Sequence, residues 1–432
     1  MKTTTGAFLN ANDNVNSYPK LGAYDVGWIV LCIGMAIGSG IIFLPIQMGV
    51  KGFWVSITSL MIAYPAVYCM SKVYLQSLSA TESCDDYANI VTQYLGKNWG
   101  AALGVAYFIM LLKGMLAYAS AITKDSASYL QTYGVTHHSL GSSVWYISLL
   151  IGAMVLIASR GERLLFRISG PLIVVKLSIV VFLGVSMIPY WDIRHLGIIN
   201  FPNALSFLRD LLLTLPFSMF SILFVQILNP MNVAFRKRES DRRIATFRAL
   251  RASRYAYTVL VVCVIFFGFS FLLSITPAEA RYALDNNISA LALAAKVMSG
   301  DVVRILSTLL NVVAIFTAFF GIYLGFHDAL KGIVVNAIDR VIVRSETFNK
   351  ILPLCIAAGT IGLLVAWVVF GISAMSLMQI TVPVFGVVSC LIPCCLIWRV
   401  PALKQLRTPS SVLVFLFGLL LVASPFFKLL EH

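Results

Sequence analysis

Two apolar stretches of this chain are interrupted by small and polar residues, and the interruptions have the chemistry to bind a small charged ligand. The first lies inside the stretch 27–50 and consists of Ile37, Gly38, Ser39 and Gly40. The second lies inside the stretch 210–235, over about 216–221, and with the residue at 224 it offers Ser218, Phe220, Ser221 and Phe224. A helix that restarts after such a break presents unpaired N–H groups and a partial positive charge, which suit a carboxylate. Free carbonyl groups at the other break would suit an ammonium group.

Together the two breaks predict a site for a zwitterion such as an amino acid. Alternating small residues such as Gly38 and Gly40 are by themselves typical of helix packing in membranes. A matching break in a second stretch, and Pro45 shortly after the first, favour a binding site instead. Gly38 and Ser221 each lie roughly 20 Å along a helix from the nearest flanking charge, which is near mid-membrane depth.

Lys176 is the second feature that could do chemistry. It lies in an apolar run with no acidic residue within a helical turn, and an amine at that depth is costly to place. Burial disfavours its charged form, so Lys176 could change its protonation state during a working cycle. We predict that it is the proton-coupling group and that Gly34, Ile37 and Thr317 complete the cation site. A lysine that reaches towards water remains the alternative.

Further candidates lie in the predicted third span. Lys113 is also deep, 16 residues beyond Lys97, and we include it with Tyr107 as a possible contributor to the same cavity. The adjacent Lys124 and Asp125 fall near the outer end of that span, where we expect an interfacial charge pair.

The composition indicates an integral membrane protein. The chain has 432 residues, of which 59% are hydrophobic and only 12% are charged, whereas soluble domains carry about 25% charged residues. The polar first 25 residues do not resemble a cleaved signal peptide. Eleven apolar runs are predicted to cross the bilayer: 26–50, 53–76, 99–130, 143–159, 165–188, 211–235, 255–275, 303–330, 352–371, 374–398 and 410–430.

The distribution of Lys and Arg predicts the orientation. With the N-terminus in the cytoplasm, the cytoplasmic segments carry nearly three times as many Lys and Arg residues as the outer ones. An odd number of spans then places the C-terminus in the periplasm of a bacterial inner membrane. The basic run 236–254 is interpreted as a cytoplasmic loop. The net charge of +14 therefore does not indicate nucleic acid, and the expected partners are a small-molecule substrate and membrane lipids.

The positions of the breaks predict an internal repeat. Five spans begin at each break, and because five is odd the second set enters from the opposite side, which makes an inverted repeat. The predicted fold is an all-α integral membrane protein with 11 transmembrane helices, a 5+5 inverted repeat and discontinuous helices 1 and 6. Its predicted parts are a cytoplasmic segment 1–25, repeats 26–188 and 189–398, and a final span with the C-terminus, 399–432.

Other function classes fit less well. The predicted spans contain no Glu and almost no Asp or His, so the juxtaposed acids, bases and nucleophiles of an enzyme are not expected. The chain has no Gly-x-x-x-x-Gly-Lys motif that would let it use ATP, and its cysteine spacing fits no metal site. A channel remains a remote alternative, because two broken helices do not provide the rings of like groups that line a pore.

Several stretches resemble the hydroxy/aromatic amino acid permease family in its serine/threonine branch, within the amino acid–polyamine–organocation superfamily. The resemblance runs over essentially the whole chain and is carried by residues 34–45, 159–166, 287–292, 317–325 and 400–403. It implies a LeuT-type fold and uptake of an amino acid coupled to a cation, most often H⁺, with no other cofactor. Residues 37–40 match the unwound first span of that family.

The resemblance is weaker at the second break, where Met219-Phe220-Ser221-Ile222 replaces a Phe-Ser-Phe-Asn type of sequence. A serine- or threonine-like substrate is expected, and an aromatic or other apolar amino acid is the alternative. Na⁺ is less expected than H⁺, because Ala318 stands where a second hydroxyl would be needed beside Thr317. Lys176 resembles the membrane lysine that replaces this ion in some proton-coupled relatives. The oligomeric state stays open, and a monomer is plausible.

Overall fold

The computed structural model describes residues 19–79, 87–159, 162–196, 203–286, 288–297, 301–338, 346–372 and 374–428, and within them it is almost entirely helical. Apolar segments adopt helices because a helix pairs its own backbone N–H and C=O groups where water is absent. The first half contains α1 (Ala23–Ala36), α2 (Ser39–Lys51), α3 (Phe53–Ser79), α4 (Tyr87–Leu95), α5 (Lys97–Thr132), α6 (Val144–Ala158), α7 (Glu162–Ser186) and α8 (Ala204–Phe220).

The second half continues directly from α8. It contains α9 (Val225–Arg238), α10 (Arg242–Ser274), α11 (Pro277–Asp285), α12 (Ala290–Val297), α13 (Asp301–Ile338), α14 (Glu346–Val369), α15 (Ala374–Gly386), α16 (Ile392–Arg399) and α17 (Pro409–Lys428). A π-helical turn, Val387–Leu391, joins α15 to α16.

Nine segments in the described part of the chain are long and apolar enough to cross a membrane, with α8 and α9 forming one of them. Two further apolar helices, α1 and α6, are shorter. Each of the eleven apolar runs found in the sequence falls on one or more of these helices. This is the architecture of a multi-pass membrane protein.

The segment formed by α8 and α9 lies at the centre of the molecule. In its most apolar window 89% of the residues are buried, a larger share than in any other described span. It packs against α2 and α3 on one side and α10 and α17 on others, while α5 packs against α13 and α15. A span that is enclosed in this way has little contact with lipid. The break between α8 and α9 is therefore surrounded by other helices of the protein.

Ion pairs tie down the two ends of the α1–α2 segment. Near the start of α1 the carboxylate of Asp25 is fully buried and accepts hydrogen bonds from Arg248 Nε and Nη2 at 2.9 and 3.0 Å. Arg248 also bonds Glu239, just after α9. At the far end Lys51 Nζ lies 3.0 Å from Asp210 Oδ1, which joins the end of α2 to α8.

The expectation of a loop over 236–254 is wrong. Helix α9 continues to Arg238, α10 begins at Arg242, and only a short connection separates them. Arg is a good helix former, so a basic run does not interrupt a helix. Arg248 is buried because Asp25 and Glu239 provide it with counter-charges. The positive charge of this region is thus partly structural.

Candidate functional site

The first broken helix leaves the helical path at two residues. Helix α1 ends at Ala36 and α2 begins at Ser39, with Ile37 at φ −72°, ψ 82° and Gly38 at φ −153°, ψ −117°. Gly38 N donates to Ala36 O at 2.8 Å instead of to the carbonyl of Gly34, four residues earlier. The carbonyls of the last turn of α1 are thereby released for other donors. The backbone of Ser39 is described, but its side chain lies outside the described part of the structure.

The break in the second helix begins later in the chain than the sequence predicts. Pro216 lies inside α8, which continues to Phe220, and the break runs from Ser221 to Phe224. A proline removes the hydrogen bond to the carbonyl four residues earlier, here Leu212. Ser424 Oγ on α17 donates to that oxygen at 2.8 Å. The carbonyl therefore has a partner, and α8 can pass through the proline.

The two breaks touch each other. A Cβ atom at Gly40 would overlap backbone atoms of Ser221, so only glycine permits this approach of α2 to α8. Ser221 Oγ donates to Ser218 O at 2.7 Å and lies 3.0 Å from Tyr64 Oη. Ser218 Oγ lies 2.7 Å from Ser59 Oγ. These hydroxyls join α8 to α3 within the protein interior.

Lys176 on α7 reaches the carbonyls released by the first break. Its side chain is fully buried, and Nζ donates to Gly34 O at 3.3 Å, to Ile37 O at 3.0 Å and to Thr317 Oγ1 at 2.7 Å. The hydroxyl of Thr317 in turn donates to Val313 O at 2.8 Å. The structure thus brings together all four residues predicted for the cation site.

Two adjoining cavities lie beside the breaks. The central cavity, of about 50 Å³, is lined by α1, α5, the α8–α9 break, α13 and α15, and it contains Phe220 and Lys113. A larger cavity of about 330 Å³ contains Tyr107, Gly34 and Thr317. Both share a wall made of Met35, Leu111, Gln226, Ala318 and Ile322. The smaller volume holds only a few water molecules, so a substrate must enlarge it.

The other predicted substrate residues do not line either cavity. This is the placement of Ile37, Gly38, Gly40, Ser218, Ser221 and Phe224. The hydroxyl of Tyr118 lies against Gly38, and Phe224 is 1% exposed within the core. Their role as substrate ligands stays a prediction.

Gln226 and Phe385 are among the lining residues that the sequence reasoning does not identify. Gln226 Oε1 is buried and has no hydrogen-bond partner among the described residues, although the side chain borders both cavities. The sequence does contain a signal for Gln226, because it is a polar residue two positions after the second break. Phe385 on α15 had no such signal, since one phenylalanine in an apolar helix resembles any other.

The amine of Lys113 lies against two aromatic rings. Its Nζ is 3.9 Å from the centroid of Phe220 and 4.9 Å from that of Phe385. The rings pack edge to face with centroids 4.8 Å apart. A cation over a ring face at these distances is attracted by the electrons of the ring.

The expected charge pair of Lys124 with Asp125 is wrong. Lys124 Nζ donates to Gly141 O at 3.1 Å, whereas Asp125 is 1% exposed and faces the interior. Asp125 accepts hydrogen bonds from Ser289 N at 3.1 Å and Asn311 Nδ2 at 2.5 Å. Adjacent residues on a helix point in different directions, which separates the two side chains. The carboxylate links α5 to α12 and α13.

Comparison with known proteins connects this geometry to a family. The family model described as the tryptophan/tyrosine permease family matches residues 25–422. The chain belongs to this family. Its match includes both breaks, Lys176 and every residue that lines the two cavities. The resemblance drawn from the sequence is confirmed, as is the prediction that the chain is a transporter and not an enzyme.

Relatives of this permease carry the names of amino acid transporters. A probable serine transporter of Escherichia coli K12 is 43% identical over 412 residues, which cover 94% of this chain and 92% of the relative. The serine transporter SdaC of the same strain is 26% identical, with 99% and 100% covered. The threonine/serine transporter TdcC of Edwardsiella tarda is also 26% identical, with 99% and 100% covered.

Proposed function

We propose that this permease is a secondary active transporter that imports a small neutral amino acid together with a proton across the bacterial inner membrane. The observation that carries the proposal is the contact of Lys176 with the carbonyls released by the first break. An ionisable amine is held there by the element that forms the proposed substrate site. The names of the relatives support a serine- or threonine-like substrate.

The proposed layout is the LeuT-type fold, with eleven spans, two inverted repeats over 26–188 and 189–398, and discontinuous helices 1 and 6. The breaks between α1 and α2 and between α8 and α9 support it, as does the contact of the breaks at Gly40 and Ser221. The basic residues support a cytoplasmic N-terminus and a periplasmic C-terminus. In this orientation the 330 Å³ cavity is on the cytoplasmic side of the breaks.

Counting donors suggests how Lys176 couples transport to a proton. A protonated lysine has three N–H groups, which equals its three acceptors at Gly34, Ile37 and Thr317. Loss of the proton removes one donor and the charge that makes the remaining hydrogen bonds strong. The link between α7 and the end of α1 then weakens, and the two elements can separate. Proton release would thus accompany a change of conformation.

An aromatic or other apolar amino acid is the second candidate substrate. The central cavity is walled by Met35, Leu223, Ile322, Phe220 and Phe385, and this apolar and aromatic lining suits an apolar side chain better than a hydroxyl group. The family description also names tryptophan and tyrosine. The substrate therefore has to be determined by transport.

The test is uptake of a panel of amino acids into proteoliposomes, with an imposed pH gradient, an imposed Na⁺ gradient or neither. We expect accumulation of serine or threonine that depends on the pH gradient and is indifferent to Na⁺. Accumulation of tryptophan or tyrosine instead would select the second substrate class. Accumulation driven by Na⁺ alone would contradict proton coupling, and uptake of none of the amino acids would contradict the transport proposal itself.

A further inference from the structure

The central cavity contains a lysine whose hydrogen-bonding capacity is not used. Lys113 is only 6% exposed, and its ammonium group rests on the rings of Phe220 and Phe385. Among the residues that the structure describes, it has no hydrogen-bond acceptor and no ion-pair partner. Ring faces attract a cation but accept none of its three N–H groups in a full hydrogen bond. The amine therefore lies beside the cavity with unused donors.

Lys176 provides a direct comparison in the same region. Its Nζ has three oxygen acceptors supplied by the protein, so it needs nothing from a ligand. The described residues that line the central cavity include no carboxylate that could serve Lys113 in this way. A buried charge without a counter-charge is costly, and a ligand that brings one removes this cost. The cavity is thus suited to an anionic group.

We propose that Lys113 binds the carboxylate group of the transported substrate, and that Phe220 and Phe385 hold its ammonium group while the cavity is empty. The proposal rests on the proposed function, since it takes an amino acid as the ligand. A carboxylate supplies one negative charge and two acceptor oxygens, which matches an ammonium group with unused donors. The pairing is stronger than it would be in bulk water because the Lys113 side chain is almost fully buried.

The walls of the cavity assign the orientation of the substrate. The first broken helix contributes Met35 and Ala36, the last two residues of α1, while Gly38 is covered by the hydroxyl of Tyr118. The carbonyls of Gly34 and Ile37 at the end of α1 already accept hydrogen bonds from Lys176. The substrate ammonium group is therefore assigned to Gln226 Oε1, which is buried without a hydrogen-bond partner among the described residues. The carboxylate then points to Lys113. This differs from the sequence-based expectation, in which the start of α2 binds the carboxylate.

The same contact connects substrate binding to the second break. Phe220 is the last residue of α8, immediately before the break. When Lys113 moves from the ring of Phe220 to a carboxylate, that ring loses its cation and can be displaced by the substrate. A cavity of about 50 Å³ has to grow in this way to admit an amino acid. Substrates without a carboxylate would leave Lys113 on the ring and the cavity small.

The experiment compares binding of an amino acid with binding of its amide, in which the carboxylate is replaced by a neutral group. L-serine and L-serinamide are the probes, or L-tryptophan and L-tryptophanamide if uptake favours aromatic substrates. Binding to the purified full-length protein is measured by calorimetry. We expect the wild-type protein to bind the acid at least about tenfold more tightly than the amide, and Lys113→Met to lose most of this preference.

Lys124→Met is the matched control, because Lys124 lies on the same helix, bonds Gly141 O and does not line the cavity. This variant should keep the wild-type preference, and so should Lys113→Arg, which keeps the charge. If Lys113→Met does not fold, Lys113→Gln takes its place. Equal binding of acid and amide by the wild-type protein would overturn the proposal, as would an unchanged preference in Lys113→Met or Lys113→Gln. Failure of the transport proposal is recognised separately, as absence of uptake.

Discussion

Lys176 Nζ donates a hydrogen bond of 3.0 Å to the carbonyl oxygen of Ile37, the residue at which the first broken helix leaves its helical path. An amine from α7 therefore takes the place of the N–H group that an unbroken helix would have supplied. The break and the buried lysine stabilise each other, because the ammonium group needs acceptors and the carbonyls need donors.

The first prediction concerns proton coupling. Lys176→Met should abolish accumulation driven by a pH gradient while exchange of internal for external substrate continues. One coupled proton and a gradient of about one pH unit can sustain about tenfold accumulation, which corresponds to about 1.4 kcal/mol. In the variant the accumulation ratio should fall to about one. The measurement is proteoliposome uptake, followed by counterflow at equal pH.

Three further variants sharpen this test. Lys72→Met removes an exposed lysine and should leave accumulation unchanged. Thr317→Val removes one acceptor of Lys176 and should lower accumulation, whereas Thr317→Ser keeps the hydroxyl and should not. Normal accumulation by Lys176→Met would remove this residue from the coupling mechanism.

The second prediction concerns the contact between the two breaks. Gly40→Ala should abolish substrate binding, because the added methyl group would overlap the backbone of Ser221, which cannot move aside like a flexible side chain. Gly152→Ala on α6 is the control, since a Cβ atom there meets nothing within 4 Å. The readouts are substrate affinity and the melting temperature of both variants. Wild-type affinity in Gly40→Ala would show that the breaks need not touch.

The third prediction concerns the proline of α8. Ser424→Ala should lower the free energy of unfolding by about 1–3 kcal/mol, because the carbonyl of Leu212 would be left buried without a partner. Ser186→Ala is the matched control, since that exposed hydroxyl bonds a carbonyl within its own helix. Thermal denaturation of both variants in detergent measures the difference. Equal melting temperatures would mean that water or a shift of α8 replaces the serine.

The fourth prediction concerns the ion pair at the start of α1. Arg248→Met should destabilise the protein by about 3–5 kcal/mol, because it leaves the fully buried carboxylate of Asp25 without its principal partner. Arg243→Met removes a neighbouring exposed charge and should change stability by less than about 0.5 kcal/mol. If both variants have the same melting temperature, Arg251 alone is a sufficient partner for Asp25.

The sequence predicted local features better than long-range contacts. The first break could be recognised because glycine at 38 and 40 is a local signal, and the depth of Lys176 follows from counting residues. The end of α8 could not be placed, because what carries the helix past Pro216 is Ser424, more than two hundred positions later. The partners of Asp125 lie 164 and 186 positions away, and no local pattern identifies them.

Charge patterns were informative about topology but not about structure. The charge of the basic run 236–254 indicates a side of the membrane, but its polarity does not indicate a loop, because helices α9 and α10 cover most of it. Arg248 shows the reason, since a charged side chain is buried when the fold supplies counter-charges. Similarly, whether Gln226 and Phe385 line the cavity depends on which helix faces meet. A single sequence does not contain this information.

The close approach of Gly40 to Ser221 fixes the midpoints of both broken helices to one another, and the ion pair of Lys51 with Asp210 joins the end of α2 to α8. Helices that tilt about a fixed midpoint move apart at one end as they come together at the other. If the four half-helices tilt about this shared pivot, access from the two sides of the membrane becomes mutually exclusive without any separate locking part.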